Sequence, residues 1–221
     1  MTAHRSVRLT TMAVVLAFAA GATDAFAFLQ LLGVFTANMT GNLVLAGLTE
    51  RSGYSTSIGG ILVALVVFVV VLYVAFRAAP NGERRGALIG VLAAAALAQL
   101  VVLVICAASP GTKTMPLIMV SIGLSASAMA CQTVVAKRLD GESGVTTTYV
   151  TGTLTSIMAD AADRRQQDLL TRIGVVAALV LGALSGSLLI GVSPSLGAAL
   201  PVVPAIAGVV LLARLGIASR T

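Results

Sequence analysis

Six apolar runs, each close to the length that crosses a bilayer, decide what this chain can fold into: residues 11–32, 58–76, 87–107, 115–136, 173–192 and 196–213. A helix of about 20 residues spans the hydrocarbon layer. Lipid offers no partner for backbone N–H and C=O groups, so such runs must be helices or the strands of a closed barrel. Barrel strands alternate in polarity over about ten residues, and these runs do not. The expected fold is therefore all-α, a polytopic membrane bundle of six transmembrane helices. Composition points the same way: 58% of residues are hydrophobic and 10% charged, against about 25% charged in soluble domains. The longest gap between runs is 137–172, which leaves a single integral membrane domain over 1–221.

Charge sets the orientation. With the amino terminus inside, twelve of the fourteen Lys and Arg residues face the cytoplasm and only Arg51 and Lys113 lie outside. That asymmetry is the positive-inside bias, so both termini are expected in the cytoplasm. The basic residues are scattered, without a strip interleaved with aromatics, which argues against nucleic acid despite a net charge of +6. Ala25-Phe-Ala27 imitates a signal-peptide cleavage site. Hydrophobicity nevertheless continues through Phe35, and no cleavage is expected.

Enzyme chemistry is poorly supplied. The one histidine, His4, lies in the amino-terminal tail, and Cys106 and Cys131 have no C-x-x-C spacing. No nucleophile–histidine pair, metal-ligand set or nucleotide-binding glycine motif is present. No enzymatic activity, cofactor or metal is expected.

Asp24 is the acid inside the first apolar run. A carboxylate at bilayer depth costs roughly 2.5–3.5 kcal/mol on insertion scales, and the default expectation for it is functional. It precedes a polar, glycine-containing stretch, Thr36-Ala-Asn-Met-Thr-Gly-Asn42. Thr36 or Asn38 is placed to cap a helix start there, leaving neighbouring amide donors for an anion or carbonyl. Gly41 and Gly152 are read as points of close backbone approach.

The two halves echo each other. Gly21 and Gln30 are nine residues apart, as are Gly123 and Gln132, and the segments 35–43 and 146–154 both carry Thr-Gly near their ends. The first offset is 102 residues and the second 111, so the repeat (about 10–108 and 114–215) requires a nine-residue insertion. Three spans per half make the second half enter the membrane from the opposite side, a 3+3 inverted repeat of the kind found in many secondary transporters. Segments 34–48 and 145–159 are expected as two short polar helices, re-entrant or lying at the interfaces. Gly86-x-x-x-Gly90 and Gly182-x-x-x-Gly186 are read as helix-packing pairs.

The run 21–29, the segment 35–43 and Val150-Thr-Gly-Thr-Leu-Thr155 resemble the signature of the YoaK family. This resemblance covers nearly the whole chain. It implies a multi-pass protein of the bacterial inner membrane with small-molecule transport suspected, and it supplies no substrate and no catalytic residue.

The expected function is a secondary transporter of a small molecule or ion. Asp24 is its ionisable centre, and Asn38, Thr40, Gly41, Asn42, Thr151, Gly152 and Thr153 line the site, with Gln30, Thr36, Gln132 and Tyr149 as further candidates. Its partners are the lipid bilayer and an unknown small-molecule or ion substrate, with homo-oligomer formation left open. A channel or passive pore uses the same lining. A non-transporting subunit that docks a protein through loop 137–172 is a third reading.

Overall fold

The computed structural model describes residues 3–80, 85–109, 111, 114–143, 150–163 and 169–217, leaving aside the side chains of 3–6, 8, 140–143, 150–151 and 215–217. These residues form helices and no strand: α1 (Ala3–Gln30), α2 (Met39–Gly47), α3 (Tyr54–Ala78), α4 (Arg85–Ala108), α5 (Met115–Ser143), α6 (Val150–Ala162), α7 (Leu169–Val192), α8 (Pro194–Ala199) and α9 (Val202–Ile217). Six segments are long and apolar enough to cross a membrane: Leu9–Gln30, Tyr54–Ala78, Arg85–Ala108, Met115–Leu139, Leu169–Val192 and Pro194–Arg214. All six expected spans are present.

The sixth differs from the unbroken run expected at 196–213. It starts earlier, with Pro194 in the first helical turn, and breaks into α8 and α9 around Leu200–Pro201. Pro201 and Pro204 carry no N–H, so two rungs of the i→i−4 ladder are missing there. The bonds Leu200 N–H to the Leu196 carbonyl and Ala205 N–H to the Pro201 carbonyl, both 3.2 Å, flank the interruption.

Four helices form a closed ring. α1 and α4 each pack against both α5 and α9, whereas the diagonal pairs α1–α4 and α5–α9 make no backbone contact. α7 lies outside the ring against α1, and α3 lies outside it against α5. Val66, Val69 and Tyr73 of α3 and Leu181, Leu184 and Leu188 of α7 are exposed. In a membrane, lipid covers such apolar faces.

The α1–α7 crossing is the tightest in the fold. A Cβ added at Gly21 would collide with the Leu179 backbone carbonyl, and one at Gly182 with the Phe18 carbonyl. At Gly186 it would lie 3.3 Å from the Ala22 carbonyl oxygen. Backbones this close gain dispersion and Cα–H···O contacts. The packing role expected of Gly182-x-x-x-Gly186 is thus met. Gly86 and Gly90 have nothing within 4 Å, so the same spacing in α4 builds no contact inside the chain.

Two further contacts tie down the ends of spans. The Arg138 guanidinium at the end of α5 donates to the carbonyls of Ala79 (3.0 Å) and Phe76 (3.3 Å) and lies 4.9 Å over the Phe76 ring. A cation at a helix carboxyl terminus also favours the helix dipole. At the other end of α3, Arg51 donates to the Ser57 hydroxyl, and Ser57 Oγ donates to the Tyr54 carbonyl at 3.2 Å.

Candidate functional site

The site is built by a reversal of the chain. α1 closes with Leu31 N–H bonded to the Ala27 carbonyl at 2.8 Å. Leu32 and Gly33 then adopt left-handed conformations, φ 65° and 67°, the geometry that ends helices and turns the chain back. Leucine rarely accepts that region. The reversal brings residues 34–38 down beside Asp24, which sits six residues before the end of α1, about 9 Å along its axis.

There the carboxylate meets three consecutive backbone N–H groups. Asp24 Oδ1 accepts from Thr36 N–H and Ala37 N–H, both at 2.7 Å, and from the Thr36 hydroxyl at 3.4 Å. Oδ2 accepts from Asn38 N–H at 3.1 Å. Successive N–H groups at a helix start form an anion-binding concavity with the dipole behind it. Hydrogen bonds to a charged group contribute about 1.5–3 kcal/mol each. Three of them offset the cost of placing an acid inside a membrane-spanning segment, at most about 2.5–3.5 kcal/mol on insertion scales. The amide donors expected to await an external anion are occupied by the chain's own carboxylate.

Asn38 is the N-cap of α2, its Oδ1 accepting from Gly41 N–H at 3.0 Å. The carboxamide of Asn42 pairs with both backbone groups of one residue: Phe35 N–H donates to Oδ1 at 2.9 Å and Nδ2 donates to the Phe35 carbonyl at 2.6 Å. Phe35 stacks on Phe28 with ring centroids 4.8 Å apart. The Tyr54 hydroxyl donates to the Ala46 carbonyl at 3.1 Å and holds the far end of α2 against α3. Asp24, Asn38 and Asn42 thus spend their polar groups on holding α2 in place.

The expected site residues therefore part company. Asp24, Thr36, Asn38 and Asn42 come together, but Asn42 is fully buried while Asn38 and Thr40 are exposed. The close neighbours of Gly41 are the side chains of Asn38 and Phe35, not another backbone. Gln30 is half-buried and Gln132 buried. In α6, Gly152 is exposed and Thr153 buried, the Thr151 side chain falls outside the described residues, and so does Tyr149. α2 packs on α3 and α6 on α7, and the two do not touch, so the Thr-Gly segments are not brought into one site.

α6 is held differently from α2. Asp160 pairs with Arg172 of α7 at 2.8 Å, and the same nitrogen donates to Ser156 Oγ at 3.4 Å. Both side chains are mostly covered, 16% exposed for Arg172 and 21% for Asp160. A double-mutant cycle of Asp160→Asn and Arg172→Gln, read by thermal unfolding, is expected to give a coupling of about 1 kcal/mol, the upper range for a partly exposed pair.

Sequence reasoning passed over Gln99, the amide of the third run. Its Nε2 donates to Thr23 Oγ1 at 3.1 Å, and Thr23 donates to the Ala19 carbonyl at 2.8 Å. α1 and α4 make no backbone contact, so this side chain bridges the ring. A lone amide in an apolar run was the one signal that pointed to it.

Six helical spans, a ring of four and a short helix anchored through the Asp24 carboxylate define a polytopic α-helical membrane protein. A family model described as a protein of unknown function (DUF1275) matches residues 12–213. The chain is 34% identical over 154 residues to the UPF0700 transmembrane protein YoaK of Bacillus subtilis (strain 168), covering 70% of this chain and 68% of that one. The chain belongs to this YoaK/DUF1275 family. No solved structure matches it.

Proposed function

We propose that the chain is a secondary transporter of a small molecule or ion, built as a 3+3 inverted repeat with both termini cytoplasmic, and not an enzyme. One observation carries the reading: most of the helix contacts recur when the halves are exchanged, α3–α4 and those of α8 being the exceptions. Mapping α1, α2, α3 and α4 onto α5, α6, α7 and α9 turns the α1–α7 contact into α5–α3, α1–α9 into α5–α4, and α2–α3 into α6–α7. The contacts α1–α5 and α4–α9 map onto themselves. An odd number of spans per half makes such an exchange a two-fold rotation in the membrane plane, the architecture of alternating access.

Asp24 is the coupling group. As a carboxylate it grips the start of α2 through both oxygens. A proton on Oδ2 turns that acceptor into a donor facing Asn38 N–H, and the grip on α2 weakens. Proton binding is thereby linked to the position of α2. Purified protein reconstituted in liposomes is expected to carry solute at a rate that depends on pH, and Asp24→Asn, normalised to folded protein, to lose that dependence. Unchanged rate and pH profile in Asp24→Asn would end the coupling role.

A further inference from the structure

The geometry points to a binding site for a small uncharged solute with hydrogen-bond-accepting oxygens, at the centre of the α1–α5–α4–α9 ring and apart from Asp24. Thr23, Gln99, Ser125 and Gln132 form it. The inference rests on the transport reading and adds where the solute sits and what it is.

Direction places these groups. α5 meets α3 through Met119, Ile122 and Gly123, which lie against Gly59, Gly60, Val63 and Val67. Ser125 and Gln132 point roughly 110–130° round the helix from the mean direction of those residues. They are 0% and 5% exposed. On that side of α5 the helices that pack against it are α4 and α1. α1 meets α7 through Val14, Phe18, Gly21, Ala22 and Ala25, and Thr23 points roughly 155° away from them. The Gln99–Thr23 bond crosses the same interior.

Two polar atoms there are unpartnered. Ser125 Oγ and Gln132 Nε2 are buried without any hydrogen bond. Elsewhere in these helices, hydroxyls fold back on the carbonyl four residues earlier: Ser121 to Leu117, Ser127 to Gly123, Thr133 to Met129 and Thr23 to Ala19. Ser125 makes no such bond. Seven residues separate it from Gln132, about two turns along one stripe. An orphan donor in a dry interior is costly enough that native proteins fill it.

The chemistry of the lining selects the ligand. Thr23, Gln99, Ser125 and Gln132 are all uncharged, so an ion held by them would have no countercharge among its ligands. A free amide donor repels cations and requires an oxygen acceptor, and a hydroxyl serves as donor or acceptor. An uncharged carbonyl- or hydroxyl-bearing solute fits both.

The repeat explains why the site is one-sided. At the 102-residue offset Thr23 corresponds to Ser125 and Gln30 to Gln132. Thr23 has its Gln99, but at the two offsets of the repeat Gln99 corresponds to Pro201 or Val210, neither of which carries a polar side chain. Ser125 is left open.

The test uses full-length protein in liposomes, with urea and glycerol as uncharged probes, acetate and sodium as charged ones, and thermal unfolding of the same variants in detergent. Ser125→Ala and Gln132→Leu are expected to leave the melting midpoint unchanged or raised, because they remove unpartnered atoms, and to lower urea or glycerol flux tenfold or more. Full flux in both variants would overturn the site while leaving transport intact. Wild-type flux of acetate or sodium without urea or glycerol would overturn the solute class alone. A lowered midpoint in both variants, with flux falling only as folded protein falls, would make the stripe structural. Failure of every probe in folded wild-type protein would overturn the solute class proposed here, while pH-dependent flux of any other solute would leave the transport reading standing.

Discussion

Alanine at Gly182 is expected to destabilise the purified protein by about 2–3 kcal/mol, the upper part of the usual range for overpacking. For a chain of this length that is roughly a 5–10 °C fall in melting midpoint. The reason is the identity of the colliding atom. The added methyl meets the Phe18 backbone carbonyl, and Gly21 meets Leu179 in the reciprocal way. A flexible side chain rotates aside, whereas a carbonyl inside a helix can move only with the whole helix. Gly21→Ala should therefore cost a similar amount. The double variant should cost less than the sum, because one separation of α1 from α7 relieves both clashes. Gly86→Ala and Gly90→Ala provide the contrast. With open space at both positions, helix propensity alone acts, and the midpoint should hold or rise by the equivalent of about 0.5–1 kcal/mol. Equal losses at all four glycines would show that the α1–α7 contact is not the tight one.

Asp24→Ala is expected to detach the start of α2. The substitution removes the penalty of an acid at depth but leaves the N–H groups of Thr36, Ala37 and Asn38 without their acceptor. Each unsatisfied donor costs about 1–3 kcal/mol, so the net loss should be roughly 2–4 kcal/mol. Its signature is local. Amide hydrogen exchange at residues 36–42 should accelerate at least tenfold, while the centres of α5 and α7 keep their protection. Asp24→Glu keeps the charge but lengthens the arm, and should recover only part of that protection. Uniform loss of protection throughout the bundle would mean that Asp24 supports the whole fold rather than one element.

These two outcomes test different kinds of information. Spans are local: twenty apolar residues without alternating polarity have only the helix to satisfy their backbone in lipid, so the six crossings could be read from the residue order alone. A helix cap at Thr36 or Asn38 was equally local, because a short polar side chain near a helix start suffices, and the structure uses Asn38. Partnership across the chain was not. The donors of residues 36–38 and the acid at 24 were both visible, but their union depends on Leu32 and Gly33 turning left-handed, and leucine gives no hint of that. The Thr-Gly segments looked like a pair because their sequences match, yet each packs on its own neighbour, α3 or α7.

The order of residues alone determined the helical class, the number of crossings, their ends to within a few residues, and the presence of an acid near a polar turn. Hydrophobic run length and capping chemistry act over a few residues and leave their mark wherever they operate. Folding in three dimensions decided which of two identical glycine spacings carries a helix contact, that the sixth span breaks, that Asp24 is claimed by the chain itself, and that Gln99 reaches Thr23. Each of these depends on which helix lies opposite, and that is fixed by the simultaneous packing of all the helices.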